Sequence, residues 1–275
     1  LDKLKGKKIG LIHLDAPFGK EPIPVRNNLA KKYGFEVLLY PVPAAEMQNQ
    51  GALWLNIRRD RPDYLYNQGW GAMNPTAVKE AIKNNFPVDR LVGVWWAGGD
   101  DDARAGGAEA KGYKQITWHQ VGTSYPAIQD IIKHVVDKGK SLTEKGKVGE
   151  QLYNRTVYQG AMMAEAIRNA QKLSGKKVVT GEDIRRGLET LDITEARWKE
   201  LGFEGFAAPV KITCADHSGH HKAFIAEWDG SKWVKASDWI SPLKDEVRPL
   251  IEAAAKEYTE KAGNWPKRSE ACDNK

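Results

Sequence analysis

The chain has 275 residues, 41% hydrophobic and 28% charged, a composition that suits a globular protein with enough apolar surface for two domains. Its formal charge of +6 comes from basic residues spread along the sequence, without the stripe or cluster that marks a nucleic-acid face. No stretch approaches the ~18 apolar residues of a membrane helix, and Leu1-Asp2-Lys3-Leu4-Lys5 is not followed by the apolar region of a signal peptide.

The first hundred residues alternate strand and helix patterns. Lys8 to His13 reads as a short apolar strand and Pro22 to Lys32 as the helix after it, stopped at Gly34. Phe35 to Tyr40 is the next strand, Ala44 to Arg59 the next helix, and Tyr64 to Tyr66 the third strand. Asn74 and Pro75 are placed to cap and open a helix reaching Asn84, and Leu91 to Trp95 is a fourth strand. Four strands with crossover helices predict a doubly wound parallel α/β sheet. After Gly106-Gly107 the texture changes. One more strand is expected within Gly112 to His119, then helices over Tyr125 to Lys138, Val148 to Leu173 and Gly181 to Leu191, the last capped by Thr180 with Asp183. From Phe203 short strands are expected at Val210 to Thr213, Lys222 to Glu227 and Lys232 to Lys235, the last two joined by an Asp229-Gly230 hairpin turn. Asp245 to Lys261 reads as a terminal helix and Asn264 to Lys275 as a loose tail. The helix-rich middle block suggests an excursion into a second lobe.

No Gly-x-Gly-x-x-Gly follows the first strand and no P-loop occurs, so dinucleotide and nucleotide cofactors lack their phosphate cradle. No Gly-x-Ser-x-Gly elbow is present either. Ligands of open α/β sheets bind outside the carboxyl ends of the strands. Two of those turns here, Asn67-Gln68-Gly69-Trp70-Gly71 and Trp95-Trp96-Ala97-Gly98-Gly99-Asp100, carry flat rings, glycines and acidic or amide groups. With Phe18 after the first strand, Trp70 and Trp95 are candidate ligand-facing rings, while alternation along the fourth strand sends Trp96 to the core. Asp100 lies in the same turn, and Asp100-Asp101-Asp102 reads either as carboxylates at a helix N-terminus or as a Mg²⁺ site. His13 and Asp15, after the first strand, suit the polar rim of a cleft or an acid/base pair. Cys214, Asp216, His217, His220 and His221 form the one metal-like cluster, with a spacing matching no standard zinc pattern and the character of a polar surface turn. The other tryptophans, Trp54, Trp118, Trp198, Trp228, Trp233, Trp239 and Trp265, are expected to pack. Cys214 and Cys272 are compatible with a disulfide in an oxidising space or with two unrelated thiols.

Lys7 to His13, Phe18-Gly19, Gly34-Phe35-Glu36-Val37, Arg61-Pro62-Asp63-Tyr64 with Gly69-Trp70, Phe86-Pro87 before Leu91-Val92-Gly93, Tyr158 early on a long helix, and Asp216-His217-Ser218-Gly219 resemble, in order and spacing, the type I periplasmic solute-binding proteins related to branched-chain amino acid ABC transporters. The resemblance spans about residues 5 to 245 and implies two α/β lobes that clamp a small molecule by hinge closure, an ABC transporter permease as partner and a periplasmic or extracytoplasmic location. It maps residues 1–112 and 203–242 onto the ligand-binding C-terminal lobe, 113–202 onto part of a helix-rich N-terminal lobe, and 243–275 onto a terminal helix and tail. An opening stretch on the order of 120 residues has no counterpart, so the expectation is a truncated or proteolysed chain, whose lack of a leader says nothing of its compartment. Its implied ligand-binding residues are His13, Phe18, Trp70, Trp95, Asp100 and Tyr158, with no enzyme activity and no cofactor. Amino-acid binders of this family place an acidic residue where Trp95 stands and a tyrosine where Trp70 stands. Both replacements favour a flat, apolar or aromatic carboxylate over leucine, because an ammonium facing indole without a carboxylate keeps only cation–π attraction. The alternatives are a ligand-sensing domain of the same fold, either an amide-type regulator or a receptor ectodomain, and a metal-dependent hydrolase.

Overall fold

The structure, a computed structural model, describes residues 2–220, 222–265 and Cys272. In chain order, β1 (Lys8–Leu14) is followed by α1 (Pro17–Lys20), α2 (Ile23–Tyr33), β2 (Glu36–Val42), α3 (Gly51–Asp60), β3 (Tyr64–Gln68), α4 (Met73–Lys83), β4 (Leu91–Gly93), α5 (Asp100–Arg104) and β5 (Lys114–Thr117). Then come α6 (Pro126–Ile131), α7 (Gln151–Ser174), α8 (Gly181–Leu188), β6 (Asp192–Ile193), α9 (Glu195–Glu200), β7 (Val210–Thr213), β8 (Asp216–His220), β9 (Phe224–Trp228), β10 (Trp233–Lys235) and α10 (Lys244–Ala262). Gly34 ends α2 at φ 71°, a left-handed value that glycine takes without strain. The Asp229 carboxylate accepts from the backbone N–H groups of Ser231 and Lys232 and so closes the β9–β10 hairpin.

Several expected boundaries moved. The helix expected over Ala44 to Arg59 is broken, because the buried Gln50 amide donates to the carbonyls of Met47 and Met73 and α3 starts only at Gly51. Asn74 does not cap α4. The helix opens at Met73, and the Asn74 side chain is buried within its first turn. Pro75 is tolerated there because a first-turn N–H has no intrahelical partner to lose. The fourth strand stops at Gly93, and Trp95–Ala97 forms a 3-10 turn. The helix from Tyr125 is shorter than expected, α6 passing into a π turn over Ile132–Val136. Asp216–His220 is a strand rather than part of a turn, paired antiparallel to β7.

Two compact units result. One comprises residues 2–117, 224–238 and 243–263, and the other 118–223, 239–242 and the described residues from 264 on. The first unit holds a seven-stranded sheet in the order β10-β9-β5-β4-β3-β1-β2. Strands β1 to β5 pair in parallel, and β9 and β10 are added antiparallel at one edge. The result is a mixed α/β unit with a mostly parallel central sheet. Strand β1 is buried from Ile9 through His13, the near-continuous apolar run of a strand covered on both faces.

The second unit pairs β6, β7 and β8 in a small antiparallel sheet. Its core gathers Trp198, Phe203, Phe206, Tyr158, Ile128 and Leu191. Thr180 caps α8 as expected, accepting from Asp183 N–H while the Asp183 carboxylate accepts from Thr180 N–H. Those bonds, the Thr180 backbone N–H first, hold the Asp183 carboxyl down to about 2. Cys214 and Cys272 form a disulfide with Cα atoms 5.4 Å apart.

Candidate functional site

In the first unit the chain goes from β1 outward to β2 and returns to β3 on the other side, so the topological switch point lies between β1 and β3. The turns leaving the carboxyl ends of β1, β3 and β4, three adjacent strands, carry Phe18, Trp70 and the Trp95-Trp96 pair. These rings form a contiguous row. Phe18 meets Trp70 edge-on at 6.2 Å, Trp70 meets Trp96 at 5.1 Å with planes tilted 55°, and Trp96 meets Trp95 at 5.6 Å with a tilt of 49°. Trp70 is 48% and Trp96 39% exposed, and the other two are half-buried. Large rings that touch each other yet stay open to solvent make an exposed apolar surface at the switch point.

Trp96 is the ring that strand alternation misplaces. Alternation holds only while the chain stays in the sheet, and β4 ends before it. In the 3-10 turn both indoles swing to the same row. The visible signal was the Trp95-Trp96 doublet followed by Ala97-Gly98-Gly99, a composition that suits a turn better than a strand end. Of the tryptophans expected to pack, Trp54, Trp198, Trp228 and Trp233 are buried, while Trp265 is 51% exposed.

The polar candidates sort differently. His13 is 3% exposed, with Nδ1 3.0 Å from the Leu14 carbonyl oxygen. Asp15 pairs with Lys20 at 2.5 Å, a hydrogen bond that holds its carboxyl below the usual range. Asp100 begins α5 and is buried. The neighbouring carboxylates diverge: Asp101 pairs with Arg104 at 2.6 Å, and Asp102 accepts from Gly99 N–H at 3.1 Å. Tyr158 lies in the second unit, on α7, stacked on His119 at 5.7 Å and on Trp198 at 5.9 Å. Burial pushes its hydroxyl up to about 12 and the His119 imidazole down to about 3. The structure therefore brings together Phe18, Trp70, Trp95 and Trp96, with Asp100 starting the helix just after them, and sets Tyr158 in the core of the other unit.

Among the described residues the metal-like cluster does not assemble. Cys214 is in the disulfide, His217 faces Glu189 at 3.0 Å, and His221 lies outside the described residues. Among the described residues no three His, Cys, Asp or Glu side chains are placed to hold a metal ion, and no helix is long and apolar enough to cross a membrane.

The sequence profile of a family described as periplasmic binding protein matches residues 1–232. A crystal structure described as an ABC transporter permease from the Pseudomonas fluorescens group is 36% identical, with a TM-score of 0.89 over 98% of this chain and 65% of that one. A branched chain amino acid ABC transporter from Thermus thermophilus, solved with bound valine, is 19% identical, with a TM-score of 0.72 over 91% of this chain and 64% of that one. A solute-binding protein of an ABC transporter from R. palustris, in complex with benzoate, is 15% identical, with a TM-score of 0.62 over 88% of this chain and 60% of that one. No curated protein matches. The chain spans less than two thirds of the length of each of these three structures, and by the profile match over most of its length it belongs to the periplasmic binding protein family.

Proposed function

We propose that this chain is the ligand-capturing part of an extracytoplasmic solute-binding protein that serves an ABC transporter. The solute is a small hydrophobic or aromatic carboxylate, bound and released unchanged. The observation that carries this reading is the open row of Phe18, Trp70, Trp96 and Trp95 across three adjacent strand ends. Valine and benzoate in the two distant relatives support a small carboxylate as the ligand class, and four contacting rings favour the aromatic member of that class. The +6 charge adds a weak, salt-screened attraction for an anion. Ligand contacts made only in a closed form would shift a hinge equilibrium towards it, and a permease would read that form. The two compact units, residues 2–117 with 224–238 and 243–263, and residues 118–223 with 239–242, are the proposed lobes of that hinge.

A thermal-shift panel of benzoate- and cinnamate-type acids, aliphatic amino acids and amides, followed by product analysis, tests this. A ligand at a hundredfold over its Kd adds about 2.7 kcal/mol, or roughly 5–10 °C for a domain of this size. The expected result is a shift with aromatic acids and no product. A shift confined to aliphatic amino acids would overturn the ligand class, and turnover of any of these compounds would overturn the binding role.

A further inference from the structure

The indole row hangs on side chains behind it. A 3-10 turn as short as Trp95–Ala97 leaves carbonyls without helical partners, and two of these are met from neighbouring elements. Asn74, in the first turn of α4 and 2% exposed, donates Nδ2–H to the Trp96 carbonyl oxygen at 2.9 Å. Tyr113, fully buried just before β5, donates its hydroxyl to the Ala97 carbonyl oxygen at 2.6 Å.

Each donor occupies space that a glycine in an indole-bearing strand end leaves open. A Cβ on Gly69 would lie 2.2 Å from Asn74 Oδ1, and one on Gly93 would lie 2.4 Å from the Tyr113 hydroxyl. Asn74 therefore packs under the turn that carries Trp70 while holding the carbonyl of Trp96, the ring 5.1 Å from Trp70. Asn67, buried at the end of β3, donates to Asn74 Oδ1 at 3.4 Å, and its own carbonyl oxygen accepts from Val94 N–H at 2.9 Å. These bonds join the turns after β3 and β4 through the same few buried amides.

From this arrangement we propose that Asn74 and Tyr113 are positioning residues that set the spacing of Trp70, Trp96 and Trp95, and so the selectivity of the aromatic platform for a flat ligand. The inference rests on the platform being the binding surface. A donor that fixes a main-chain carbonyl fixes the Cα–Cβ vector of the ring beside it. A shift of an ångström between two rings is enough to lose stacking on a flat ligand.

The test compares wild type with Asn74→Ala, Tyr113→Phe and, as a control, Asn84→Ala. The control removes a half-buried bond from Asn84 Nδ2 to the Glu80 carbonyl at the other end of the same helix. Near-UV circular dichroism at the long-wavelength edge, where indole absorbs and phenol does not, reads at equal folded fraction the coupling of the touching indoles without any ligand, and calorimetry with benzoate reads binding. The expected result is an altered indole signal with Asn74→Ala and Tyr113→Phe, a wild-type signal with Asn84→Ala, and a rise of about tenfold in Kd for benzoate with the first two only. If Asn74→Ala does not fold, Tyr113→Phe, which deletes a single oxygen, decides alone. An unchanged indole signal overturns the positioning role. An altered signal in a protein whose wild type binds none of the panel supports the positioning role and overturns the platform as a binding surface.

Discussion

Trp95 and Trp70 differ from the buried tryptophans of this chain because their rings meet other rings and solvent together. Replacing either by alanine should remove ring contact worth ~1–2 kcal/mol. Kd for an aromatic carboxylate is then expected to rise about tenfold by calorimetry, with little change in melting temperature, and unchanged affinity in both variants would remove the row from the binding surface. His119 presents the opposite case. It is fully buried between Tyr158 and Phe206, and burial depresses its pKa to about 3. Below its unfolded value near 6.5 the unfolded chain binds a proton that the folded one refuses. Stability from this group is therefore complete above about 6.5 and declines as the pH falls from there towards 3, by up to about 1.4 kcal/mol per pH unit. Denaturation of wild type and His119→Gln at pH 7.5 and pH 5 should show a smaller pH loss in the variant, and equal losses would mean that the ring charges in the folded state.

At the scale of elements, the parallel strands and most helices were readable because each carries a period that one burial pattern explains. Thr180 with Asp183 announced α8 through chemistry local to four residues, and the reciprocal bonds formed as the spacing required. Thr180→Ala should cost about 1 kcal/mol in chemical denaturation, and no loss would show that the α8 end is held by its packing alone. The failures share a cause. Asn74 looked like a cap, Ala44 to Arg59 looked like one helix, and Trp95 looked like a strand end. In each place a buried side chain from an element distant in sequence claims a main-chain carbonyl: Gln50 on Met73, Asn74 on Trp96, Tyr113 on Ala97. Propensity and period carry no record of such partners.

For the whole molecule, the Cys214–Cys272 disulfide closes a stretch of chain 58 residues long that runs through β8, β9, β10 and α10. A closed loop of that length loses conformational freedom in the unfolded state, and such bonds contribute typically 2–4 kcal/mol. Reduction, or Cys214→Ser with Cys272→Ser, is expected to lower the melting temperature by roughly 5–10 °C, and an unchanged value would mean that the tail adds nothing to stability. The pairing itself was undecidable from two cysteines.

By itself the amino-acid sequence determined that this is an α/β chain with a doubly wound parallel sheet, that aromatic turns leave its strand ends, and which family its order of motifs resembles. Hydrophobic period and turn chemistry are local, so they are written in consecutive residues. Only the tertiary structure decided that Trp96 joins Trp70 and Trp95, that Tyr158 packs in a core, and that Cys214 is in a disulfide while His217 lies on a strand facing Glu189. Those outcomes depend on which side chain reaches which carbonyl or ring across tens of residues, and that is settled by packing between elements rather than by any pattern within one.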